Sequence, residues 1–100
     1  MYVVMLHYTA PAEEVNLILP DHSNWIRQHY RAGDFLIEGR SAPQNGSIII
    51  ACAMKRGRLD AILATDPLAL QHMVRPEVIE FQALRTVPEL ARYADRLVGG

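Results

Sequence analysis

Cysteine is all but missing. Cys52 is the only one in the 100-residue chain, so no internal disulfide and no cysteine-based metal cluster can form. An excess of either charge is missing too. Ten Lys and Arg stand against eleven Asp and Glu, a formal net charge of −1, which offers no basic face for nucleic acid. No apolar run approaches the roughly 20 residues that cross a bilayer. The opening "MYVVMLHYTAPAEE" has neither the basic start nor the small-residue cleavage site of a secretory leader. The four histidines include no His-x-His or His-x3-His pair, a poor basis for a metal site. Internal repeats and low-complexity stretches are also lacking. These absences leave a cytoplasmic, metal-independent protein with no membrane or nucleic-acid partner as the expectation.

What is present fits one globular domain. Half the residues are apolar and 21% are charged, the usual balance of a folded domain. One hundred residues can bury a real core, yet the chain is short enough to gain from oligomerisation.

"YVVMLHYT", residues 2–9, mixes β-branched and aromatic residues as a strand does. Pro11 with Glu13 and Glu14 opens a short helix, because Pro suits a first turn and acids suit its dipole. Pro20 is expected to interrupt that helix. Asp21 then caps a second one, about His22 to Ala32, which Gly33 ends as a C′ glycine. "DFLIEG", 34–39, reads as a strand, "RSAPQNG", 40–46, as a loop or hairpin turn, and "SIIIACAM", 47–54, as a strand. A helix follows from about Arg58 to Ala64, and "TDP", 65–67, breaks it. "RPEVIEFQALRTV", 75–87, alternates Val78, Glu80 and Gln82 against Ile79, Phe81 and Ala83, a last strand. "PELARYADRLV", 88–98, is expected as a C-terminal helix beyond a domain spanning 1–87.

The order β-α-β-β-α-β is the split βαβ, ferredoxin-like pattern of the α+β class, a four-stranded antiparallel sheet with two helices on one face. One short tail helix cannot cover the other face. A second copy of the sheet is the expected cover, giving a homodimer with facing sheets.

His22 is the first candidate for chemistry. At a helix start, exposed peptide N–H groups disfavour the imidazolium, whereas a carboxylate in contact would fix one tautomer and make the ring a useful base. The plainer reading is a solvated helix-start histidine. Asp66 is the obvious partner, though Asp followed by Pro is also simply an N-cap followed by N1. Spacing alone cannot bring the two together.

His29 follows His22 by seven residues and could share its face, but Tyr30 beside it points to a half-exposed position. His7 lies on the first strand, pointing opposite Leu6 and Tyr8, and could line a pocket floor. His72 reads as surface. Trp25, three residues after His22, reads as core or pocket wall. Cys52 reads as an inert core residue. Arg40 could meet an anionic substrate or only solvent.

In its opening strand, its "PDHSNWIRQHYRAGDFLIEG" helix-to-strand segment, "NGSIIIA", "ATDPL" and "EVIEFQAL", the chain resembles the YciI-like (YCII-related) family of dimeric α+β barrel proteins over about residues 2–85. His22 followed by Trp25 and Gly33, and Asp66–Pro67 after the second helix, carry the resemblance most specifically. It implies a cleft in which His22 and Asp66 form an acid/base pair. A wall of Trp25 and Tyr8 would suit a flat ligand there, and His7 and Arg40 are the further substrate-side candidates. Related barrels carry out isomerisation, lactone chemistry and HCl elimination without metals. The resemblance therefore implies a cofactor-free isomerase, lyase or dehydrochlorinase acting on a small cyclic or aromatic-derived substrate. The alternatives are a metabolite-binding or accessory dimerisation module and, more distantly, a cofactor-free monooxygenase. Two departures bear on the substrate: "EGRSAP" and "NGS" stand where a Gly-Pro pair and a double glycine are expected, and Arg40 takes the place of a pocket-side proline.

Overall fold

The computed structural model describes residues 1–43 and 45–94. In chain order it contains β1 (Tyr2–Tyr8), α1 (Ala12–Arg31), β2 (Phe35–Arg40), β3 (Gly46–Ala51), α2 (Arg56–Ala64), α3 (Pro67–Leu70), β4 (Val74–Glu80) and a 3-10 helix (Pro88–Tyr93). The four strands make one sheet in the order β2-β3-β1-β4, and every neighbouring pair is antiparallel. This is the expected α+β arrangement of a ferredoxin-like chain.

Strand parity sorts the side chains. Tyr2, Val4 and Leu6 of β1 point to the helix side and are buried, and their partners Ala51, Ile49 and Ser47 on β3 point the same way. Trp25 and Ile26 from α1, Phe35 from β2, and Leu59, Ile62 and Leu63 from α2 close the core over them. The opposite face carries Val3, Met5 and His7 of β1 with Ile48, Ile79 and Ile37 of its neighbours. Within the single chain Ile48, Ile79 and Ile37 are exposed.

Four elements differ from the sequence reading by more than a residue or two. α1 runs unbroken through Pro20, where two helices were expected. Proline inside a helix costs about 3 kcal/mol, but Val15, His22, Trp25 and Ile26 form one buried stripe on both sides of it. Each large apolar side chain so buried contributes about 1.5–3 kcal/mol, which outweighs the break. Asp21 is consequently an exposed residue inside the helix and not a cap. β3 ends at Ala51, and β4 ends at Glu80, with residues 81–87 continuing without regular structure. The terminal helix is a 3-10 turn over Pro88–Tyr93; residues 95–98 of the expected helix lie outside the described residues.

Gly33 closes α1 as expected, at φ +80°. Its N–H donates to the Tyr30 carbonyl and the Asp34 N–H reaches back to the His29 carbonyl. Those are the two bonds of a Schellman motif. The chain thereby folds Asp34 back against the last turn of α1. No helix in the described residues is long and apolar enough to cross a membrane.

Candidate functional site

His22, Trp25 and His29 recur at helical spacing along α1 and share its core-facing stripe. Trp25 contacts His22 at 5.6 Å between ring centroids, His29 at 5.2 Å and Phe35 at 5.3 Å. Across from this stripe lies the two-residue link Thr65–Asp66 between α2 and α3.

The link carries the partner that His22 needs. His22 Nδ1 lies 2.7 Å from Asp66 Oδ1, and the Leu68 N–H donates to the same oxygen at 3.0 Å. Asp66 is therefore a helix cap and a histidine partner at once, so the two readings of the sequence were not exclusive. A carboxylate oxygen only accepts, so Nδ1 carries the proton in this bond and Nε2 is the nitrogen left to exchange one. The helix-start argument does not apply, because His22 sits in the middle of α1, where peptide N–H groups are already bonded.

The pair is sealed. His22 is 3% exposed and Asp66 0%, and among the described residues His22 Nε2 and Asp66 Oδ2 have no hydrogen-bond partner. Neither residue lines the surface cavities of about 460, 270 and 180 Å³.

Of the other residues expected at the site, only Trp25 joins the pair, and as a buried residue whose indole N–H donates to Thr65 Oγ1 at 2.9 Å. His7 points to the sheet face away from α1, where its Nε2 lies 3.4 Å from Glu77 Oε2. It lines the 180 Å³ cavity with Ser41, Asn45 and Ser47. Tyr8 is on the helix side of the sheet, its hydroxyl 3.4 Å from Ser47 Oγ. Arg40 is exposed at the end of β2, opposite Ser47. His7 and Tyr8 thus belong to different faces of β1, as strand parity requires.

The sequence reading passed over a second histidine–carboxylate pair. His29 Nδ1 lies 2.9 Å from Asp34 Oδ2, while the Arg58 guanidinium donates to Asp34 Oδ1 at 2.7 Å. Asp34 is 5% exposed and Cys52 is its neighbour, the Cys52 N–H donating to the Asp34 carbonyl and the thiol to the Gly33 carbonyl. Burial and the Asp34 carboxylate push the Cys52 thiol up from its ordinary value, which suits an unreactive thiol. His72 is exposed, as expected, in a left-handed conformation at φ 57° after α3. Among the described residues no group of three or more His, Cys, Asp or Glu side chains could hold a metal ion.

The YCII-related domain family matches residues 1–82. The chain belongs to that family. Comparison with curated proteins by sequence gives no match. Among solved structures, this YCII-related chain is similar to 5-chloro-2-hydroxyhydroquinone dehydrochlorinase from Burkholderia phenoliruptrix AC1100, determined in complex with 2,5-dihydroxybenzoquinone. The TM-score is 0.66 at 13% identity, over 82% of this chain and 94% of that one. At that identity the likeness establishes a shared fold.

Proposed function

We propose that this YCII-related protein is a small cofactor-independent acid/base enzyme in which His22 and Asp66 act on a cyclic or aromatic-derived metabolite. One observation carries the reading. The His22 ring is held by Asp66 through Nδ1 at 2.7 Å, which leaves a buried Nε2 with no other partner among the described residues. An imidazole oriented by a carboxylate is a general base at Nε2, and the carboxylate stabilises the imidazolium that forms. The structurally similar dehydrochlorinase and its quinone ligand support a hydroxylated aromatic substrate.

For a chlorinated trihydroxybenzene the step is an elimination of HCl. The ring carbon that bears chlorine first gains a proton as a ring hydroxyl loses one, giving the keto tautomer; Nε2 then takes a second hydroxyl proton while chloride leaves with the electron pair of its carbon–chlorine bond, and a hydroxyquinone remains. No oxidant or reductant enters the balance. Substrate reaches Nε2 only by displacing the side chains that cover it. Tyr8, on the helix side of β1, and Arg40, at the end of β2, keep substrate-side roles in this reading, whereas His7 lies on the opposite sheet face and takes none.

The test is chloride release from 5-chloro-2-hydroxyhydroquinone and related halogenated or cyclic substrates by wild type and His22→Ala. A loss of about 10²–10⁴-fold is expected for the variant. Equal rates in both overturn the catalytic role. The burial of the pair favours a second reading, a binding or accessory module in which His22–Asp66 only ties α1 to α3. That reading requires saturable ligand binding, or dimerisation alone, with no turnover by wild type.

The protein is further proposed to act as a homodimer through its open sheet face, where Ile37 and Ile79 are 52% and 50% exposed. Apolar surface of this kind is stabilised by burial against a second copy. Sedimentation equilibrium is expected to give a dimer for wild type and a monomer for Ile79→Lys. A wild-type monomer at working concentration excludes it.

A further inference from the structure

We propose that Thr65 is a positioning residue for the His22–Asp66 pair, acting through Trp25. The proposal deepens the acid/base reading and rests on it for its catalytic consequence. The hydrogen-bond roles are unambiguous. The Thr65 hydroxyl spends its one proton on the Ile62 carbonyl at 2.6 Å, so it meets Trp25 Nε1–H, 2.9 Å away, as an acceptor. An indole nitrogen can only donate. The result is a directed chain from Trp25 to Thr65 to the last turn of α2.

This chain runs beside the His22–Asp66 bond. His22 and Trp25 are one turn apart on α1, and Thr65 and Asp66 are adjacent in the link between α2 and α3. Two side-chain bonds therefore join the same two segments. The Leu68 N–H already orients Asp66 Oδ1, and the link is bonded through its backbone to α2 and α3. The Thr65–Trp25 bond adds a second tie across to α1 and fixes the distance at which Asp66 is presented to the ring. The indole end is itself fixed, because Trp25 packs edge-on against His29 and Phe35, at interplanar angles of 66° and 68°. Thr65, which is exposed, thus sets the alignment of a pair that is almost fully buried.

The proposal is tested by proton NMR of the full chain, following the downfield His22 Nδ1–H resonance identified by its loss in Asp66→Ala. Thr65→Val removes the hydroxyl and keeps the branched shape, whereas Thr65→Ser keeps the hydroxyl. The expected result is a broadened or shifted His22 resonance in Thr65→Val and its restoration in Thr65→Ser, whether or not the protein releases chloride. On a substrate that wild type turns over, Thr65→Val is expected to lower kcat about 10- to 100-fold, as misplacement of a reacting group does, with KM within about twofold. An unchanged His22 resonance in Thr65→Val overturns the proposal. A measurement on wild type alone covers the case in which the variant does not fold. The Trp25 Nε1–H and His22 Nδ1–H are expected to be slowed by the same factor relative to the free side chains in their exchange with solvent deuterium, as a single opening of the link requires. Protection of Trp25 with none at His22, each relative to the free side chain, overturns the proposal as well.

Discussion

His22–Asp66 and His29–Asp34 are chemically the same pair in two settings. In each, an imidazole Nδ1 on α1 meets a carboxylate, at 2.7 and 2.9 Å. The second pair is saturated. Both Asp34 oxygens are engaged, one by His29 and one by the solvent-reaching Arg58, and the His29 side chain is 18% open to solvent. The first pair has no such third member among the described residues. Its His22 Nε2 and Asp66 Oδ2 are buried without partners among the described residues. A buried polar atom left unpaired costs about 1–3 kcal/mol. A tie that only held helices together would gain by engaging those atoms, as His29–Asp34–Arg58 does. Retained hydrogen-bonding capacity of this kind is a mark of sites where chemistry uses the atom.

Removing each carboxylate separates the two settings. Asp66→Ala strips the cap from α3 and leaves a second His22 nitrogen buried without a partner. The cap contributes about 1 kcal/mol and the unpaired nitrogen about 1–3, so urea unfolding is expected to show a loss of about 3 kcal/mol. Asp66→Asn keeps the cap and an acceptor at Oδ1, so most of the stability returns, while the charge that stabilises the imidazolium is lost and chloride release is expected to stay well below wild type. A stability loss below about 1 kcal/mol in Asp66→Ala would remove the contrast, since it falls within the cost of the cap alone.

Asp34→Ala comes next. His29 and Arg58 can both turn to water, so the expected loss is about 1–2 kcal/mol, with chloride release within twofold of wild type. A collapse of turnover in Asp34→Ala would make the two pairs one functional unit. Arg58→Ala is smaller again. The Arg58 side chain is 60% exposed, and an ion pair so open to solvent contributes under about 1 kcal/mol. The same unfolding measurement ranks all three variants.

The two pairs also differ in how far they could be read from the sequence. Asp66 was legible as a cap from Asp-Pro, and strand parity set His7 opposite Leu6 and Tyr8. The meeting of His22 with Asp66 was not legible from spacing, because it depends on how α1 packs beside α3. His29–Asp34 is the reverse case. Reading Gly33 as C′ makes Asp34 the C″ residue, whose N–H returns to the carbonyl of His29 at C3. The juxtaposition followed from that motif, and attention to Tyr30 alone concealed it. Pro20 misled for a third reason. A local rule ended the helix there, and the buried stripe across it, which no local rule contains, kept it whole.

The smallest expected effect uses Cys52 as a reporter of the second pair. Burial raises its thiol first and the Asp34 carboxylate adds to that. Both disfavour the thiolate, the form that reacts with iodoacetamide. Asp34→Asn removes the negative charge and leaves the burial, so the thiol moves down toward its ordinary value and more thiolate is present at a given mildly alkaline pH. Alkylation is expected to quicken about two- to fivefold, still short of a free cysteine. Asp66→Asn, on the other pair, is expected to leave the rate unchanged. Equal acceleration by both variants would mean that Cys52 reports general loosening of α1. Acceleration by Asp34→Asn alone would tie the thiol to the charge beside it and keep the two histidine–carboxylate pairs electrostatically separate.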